Sequence, residues 1–70
     1  MNIQEFIAYA DGLIESQKSR GKNTLGLGEA HIEDTEDVVT KITAYYNLQG
    51  IACRMKKCPT KKAYEVVIWW

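Results

Sequence analysis

The stretch Ile51-Ala52-Cys53-Arg54-Met55-Lys56-Lys57-Cys58-Pro59-Thr60-Lys61-Lys62-Ala63-Tyr64-Glu65-Val66-Val67-Ile68-Trp69-Trp70 decides the fold. Ile51, Cys53 and Met55 alternate with Ala52, Arg54 and Lys56, and Tyr64, Val66, Ile68 and Trp70 alternate with Glu65, Val67 and Trp69. A period of two is that of a strand with one buried face, and Pro59-Thr60 between the two runs marks a turn, so the chain ends in an antiparallel hairpin. With Pro59 and Thr60 as the central turn residues, Ile51 faces Ile68, Cys53 faces Val66 and Met55 faces Tyr64 on one side. Arg54 faces Glu65 on the other side, and Lys57 meets Lys62 near the tip.

An isolated hairpin is unstable in water, so its apolar face needs a cover, and the rest of the chain offers two helices. Phe6, Ile7, Ala10, Leu13 and Ile14 recur at spacings of three and four, Asn2 and Glu5 form a capping-box pattern, and Gly21 follows Ser19-Arg20 as a helix stop. The acidic run Glu33-Asp34-Thr35-Glu36-Asp37 precedes Val38, Val39, Ile42, Tyr45 and Tyr46, which predicts a second helix capped and started by acids, running to about Leu48 and closed by Gly50. Between the helices, Gly21, Gly26 and Gly28 disfavour helix, while alternating Leu25 and Leu27 allow a short edge strand at 24–27. The expected fold is therefore one α+β domain over residues 1–70, order α-(β)-α-β-β, with two helices on one face of the hairpin.

Seventy residues leave no room for a second domain, and a core this small does not enclose a deep catalytic cleft. Nine Lys plus Arg balance nine Asp plus Glu, so total charge names no partner. No run approaches the ~18 apolar residues of a membrane span, and Met1 to Glu5 lack a signal peptide's basic and apolar regions; a cytoplasmic protein with free thiols is expected.

Charge is nevertheless clustered. Glu29, Glu33, Asp34, Glu36 and Asp37 form an acidic group whose spacing does not fit a calcium loop and whose position suits a helix N-terminus. Arg54, Lys56, Lys57, Lys61 and Lys62 form a basic group on the hairpin, suited to phosphate contacts or simply to keeping a hairpin soluble. Acids at the start of the second helix would repel DNA phosphates, which excludes it as a recognition helix.

Other chemistry is excluded on spacing. His31, Cys53 and Cys58 are too few and too scattered for a zinc site. Cys53 belongs to the core face, whereas Cys58, beside Pro59 among lysines that favour its thiolate, is expected to be the more reactive thiol, though without a placeable catalytic partner. Gly21-Lys22-Asn23-Thr24 lacks the hydroxyl residue directly after the lysine, and Gly26-Leu27-Gly28 is a fragment of a dinucleotide fingerprint. No nucleophile–base–acid set is present, so no enzyme, metal or cofactor is expected.

The remaining feature is apolar. Ala52, Val67 and Trp69 fall on the hairpin face that the helices do not cover, unless Leu25 and Leu27 close over it. We therefore expect a non-enzymatic module that modulates a larger protein by protein–protein contact through the hairpin's outer face and free edge, with a homodimer through that edge as a further expectation. Nucleic-acid binding by Arg54, Lys56, Lys57, Lys61 and Lys62, with Trp69 or a tyrosine stacking on an unpaired base, is the alternative.

Overall fold

A computed structural model of the protein describes residues 1–33 and 35–70. Its elements are α1 (Ile3–Ser19), β1 (Thr24–Ala30), α2 (Val38–Asn47), β2 (Ala52–Lys57) and β3 (Tyr64–Trp69). The strands form one antiparallel sheet in the order β1-β3-β2, so the last strand lies in the middle. This is the α+β architecture expected from the sequence, with the early strand present and longer than 24–27.

Local chemistry sets the ends of α1. The Asn2 side chain accepts from the Glu5 N–H at 2.8 Å while the Glu5 carboxylate accepts from the Asn2 N–H at 3.0 Å, a reciprocal capping box. At the other end Gly21 takes φ +74, Gly21 N–H reaches the Lys18 carbonyl and Lys22 N–H reaches the Gln17 carbonyl. That Schellman arrangement needs a left-handed residue, which glycine supplies at no steric cost.

The start of α2 differs from expectation. Helical geometry begins at Val38, with Asp37 as a left-handed N-cap (φ 62) that makes no side-chain capping bond, and the first turn holds no acid. Glu33, Glu36 and Asp37 lie ahead of the helix; Thr35 N–H bonds the Glu33 carbonyl and Val38 N–H the Thr35 carbonyl. Glu33 N–H bonds the Met1 carbonyl at 2.8 Å, so these backbone groups find partners outside a helical ladder. Asp34, fifth member of the expected acidic group, lies outside the described residues.

The hairpin also corrects the register. Arg54 faces Val67, Met55 faces Val66, Lys56 faces Glu65 and Lys57 faces Tyr64, a shift of two residues from the expected pairing. The turn is longer because Cys58 N–H bonds the Ala63 carbonyl at 2.9 Å, leaving residues 59–62 as the loop. A two-residue hairpin turn needs positive φ at its first central residue, and the ring of Pro59 forbids it. Since the strand period is also two, every side chain keeps its expected face, but the Lys57–Lys62 and Arg54–Glu65 pairings are absent.

The buried core lies under the sheet, on the side of the helices. Phe6 and Ala10 of α1, Ile42 and Tyr46 of α2, and Val66 and Ile68 of β3 are wholly buried, and Leu25 and Ala30 of β1 join them. Tyr46 carries a polar group into this core and satisfies it: its hydroxyl donates to Asp11 Oδ1 at 2.9 Å, tying α2 to α1. Among the described residues no helix is long and apolar enough to cross a membrane.

Candidate functional site on the outer sheet face

The register assembles the outer face as cross-strand rows. Thr24, Trp69 and Ala52 form one row, and Gly26, Val67 and Arg54 the next. Lys56 and Glu65 form a third, with Gly28 beside them in the β1 bulge where two residues oppose one. Trp69 is 41% exposed and Val67 42%, although both sit on the central strand, where a covered sheet would bury them. Leu25 and Leu27 do not close over this face: Leu25 is buried and Leu27 packs half-buried against the core on the opposite side. β1 extends the sheet sideways.

Ala52, Val67 and Trp69 are therefore brought together as expected, with Ala52 half-buried at the β2 margin. The basic residues are split. Arg54 and Lys56 share the outer face, Arg54 directly beside Val67, whereas Lys57 alternates to the helix-facing side opposite Tyr64. Lys61 and Lys62 are exposed on the turn, and Lys61 Nζ stands 3.6 Å from Glu29 Oε1. The same carboxylate oxygen is 3.6 Å from His31 Nε2. Lys56 has Glu65 as its cross-strand partner, so part of the basic group meets acid within the chain.

A shallow concavity of ≈ 240 Å³ lies beside Val67, lined by Gly26, Leu27, Gly28, Glu65, Val66 and Val67. Its floor is bare because two successive outer positions of β1 lack side chains. The alternation of Gly26 and Gly28 with Leu25 and Leu27 carried that signal in the sequence, whereas the Glu29–Lys61 contact, which joins β1 to the hairpin tip, had none.

The thiols do not converge on a reactive centre. Cys53 is half-buried on the core side of β2, and burial pushes its thiol up to about 11, disfavouring the nucleophilic thiolate. Cys58 is half-buried at the start of the turn. Among the described residues no three His, Cys, Asp or Glu side chains group closely enough to hold a metal ion. What the arrangement can do is present an aromatic and a branched aliphatic side chain, with one flank cationic and the other flank smooth. Comparison with known protein families, with curated proteins and with solved structures gives no match.

Proposed function

We propose that this chain is a small non-enzymatic binding module that modulates a larger protein by occupying its surface through the outer sheet face, with the β2 edge as a rim. The observation that supports this most is the exposure of Val67 and Trp69 on the central strand of a sheet whose core lies entirely on its other side. A tryptophan beside a valine supplies the desolvated anchor of an interface, and Arg54 and Lys56 along one flank favour a partner whose apolar patch is bordered by carboxylates.

A photo-crosslinking residue placed at position 56, beside the anchor, tests this in cell lysate with and without nuclease. The expected result is one protein adduct, insensitive to nuclease, that disappears when Trp69→Ala or Val67→Lys is added. An adduct unchanged by both substitutions overturns the proposal.

The second reading, nucleic-acid binding, draws on one observation: Arg54 lies in the row next to Trp69, which sets a cation beside an exposed aromatic ring. The internal partners of Lys56 and Lys61 weigh against it. Titration of single-stranded and duplex oligonucleotides at ~50 mM salt decides between the two: quenching of tryptophan emission that falls steeply as salt rises would transfer the face to nucleic acid.

A further inference from the structure

The two free edges of the sheet differ in kind. β2 bears Arg54, Lys56 and Lys57 among its six residues, the sort of charge that keeps an edge from pairing with itself. β1 carries no charge from Thr24 to Gly28, and no proline. Its hydrogen-bonding phase is fixed by Trp70 N–H donating to the Asn23 carbonyl at 3.0 Å. Alternation then turns the backbone groups of Leu25 and Leu27 toward β3, and those of Thr24 and Gly26 outward. Gln17 Nε2 donates to the outward Thr24 carbonyl at 3.1 Å, as this phase requires, and α1 reaches no further along the edge than that in its hydrogen bonds.

Gly28 lies in the β1 bulge, where glycine is at home, whereas Gly26 is regularly paired opposite Val67 and is unexplained by the single chain. Positive φ among the described glycines is confined to Gly21 and Gly50, and a Cβ added at either Gly26 or Gly28 would meet nothing within 4 Å. Gly26 nonetheless weakens the strand relative to alanine, and a strand glycine outside a bulge or bend suits close approach of another backbone.

We propose that β1 pairs antiparallel with β1 of a second copy about a two-fold axis at Gly26. The edge is self-complementary in that register. Gly26 exchanges both backbone bonds with the partner's Gly26, and Leu25 faces the partner's Leu27 on the core side. Lys22, at one end of the segment, comes to the end where the partner's Glu29 lies, and the same contact repeats at the other end. The result is a six-stranded sheet in which the bare glycine strip becomes the floor of a groove, walled by Val67 and Trp69 from each copy. Each chain alone has only one wall. The groove as a docking site rests on the reading in the preceding subsection; the pairing does not.

Sedimentation equilibrium of the intact chain up to about 100 µM tests the pairing. The expected result is a reversible species of twice the chain mass. Gly26→Pro removes an outward N–H while leaving the Leu25 and Leu27 bonds to β3, and is expected to weaken dimerisation at least about tenfold. Gly26→Lys sets like charges against each other at the axis and serves as the second variant, its side chain entering open space. Lys22→Glu and Glu29→Lys should each weaken the dimer and, combined, restore it, which reports the register. A chain that stays monomeric throughout, or a dimer unaffected by both Gly26 variants, overturns the pairing. A dimer that survives Trp69→Ala while the crosslinked partner is lost separates the two proposals.

Discussion

Trp69 and Trp70 are neighbours in sequence and lie on opposite faces of the sheet: Trp69 is 41% exposed, while Trp70 is partly buried against the core with Lys18 Nζ 6.0 Å from its ring centroid. The two rings therefore do different work. Trp69→Ala is expected to change unfolding free energy by no more than about 0.5 kcal/mol, as for a surface site, whereas Trp70→Ala should cost about 2 kcal/mol. Urea denaturation of each variant measures both. With Trp70 replaced by Phe, the remaining Trp69 emission should be strongly quenched by iodide, and in the converse variant weakly.

The Tyr46–Asp11 bond is the polar link between the helices, reinforced by Tyr45, whose hydroxyl donates to Asp11 Oδ2 at 3.2 Å and whose ring meets Tyr46 edge-on at 5.0 Å. Tyr46→Phe keeps the wholly buried ring and deletes one bond to a charged acceptor, so the expected cost is about 1.5–3 kcal/mol. Asp11→Ala should cost at least as much because it strands the buried hydroxyl. A double-mutant cycle by chemical denaturation checks the pair: coupling near zero would show that the bond contributes nothing to stability.

Most of the fold was legible because the signals are local and periodic. Asn2 with Glu5 sets the start of α1, Gly21 and Gly50 take the positive φ expected of helix stops, and the alternation across residues 51–70 assigns Val66 and Ile68 inward and Val67 and Trp69 outward. Two features were less legible. The acidic run before Val38 has the composition of a helix start, yet Asp37 makes no side-chain capping bond and backbone N–H groups of the run bond the Met1 and Glu33 carbonyls instead, which depends on how the segment joins β1 to α2. The hairpin register depends on loop length, which a count from Pro59 does not fix, because side-chain faces are identical for shifts of two. Leu25 and Leu27 showed a strand but not its neighbour; placement of β1 beside β3 is a long-range contact with no local marker.

That register has a stability consequence. Lys56 and Glu65 are cross-strand partners on the outer face, whereas Arg54 is opposite Val67. A double-mutant cycle between Lys56 and Glu65 should give a favourable coupling of about 0.2–0.5 kcal/mol at low salt, larger than that between Arg54 and Glu65. A larger Arg54–Glu65 coupling would instead indicate the tighter two-residue turn.

Core identity predicts where single truncations are severe. Phe6 and Ile68 are wholly buried from α1 and β3, on the two layers of the same core. Phe6→Ala and Ile68→Ala should each cost about 3 kcal/mol, a large fraction of the roughly 5 kcal/mol available to a small domain, and thermal melts should show both variants substantially unfolded by physiological temperature.

Alkaline pH should unfold the protein from within the core rather than from its surface charge. Burial holds the Cys53 thiol at about 11 against an ordinary 9.0, and burial together with the bond and charge of Asp11 holds the Tyr46 hydroxyl well above its ordinary 10.0. Both groups favour the neutral form when folded, so above pH 9 the unfolded chain has lost protons that the folded chain still holds. Stability from these groups is complete below the unfolded values and declines as pH rises, first through Cys53 from pH 9 to about 11, then through Tyr46 from about 10 upward. Denaturation midpoints should therefore be flat in this respect up to pH 9 and fall beyond it. Cys53→Val should flatten the first part of the fall and Tyr46→Phe the later part. A wild-type chain with the same alkaline slope as the double variant would mean that neither group is protected in the folded state.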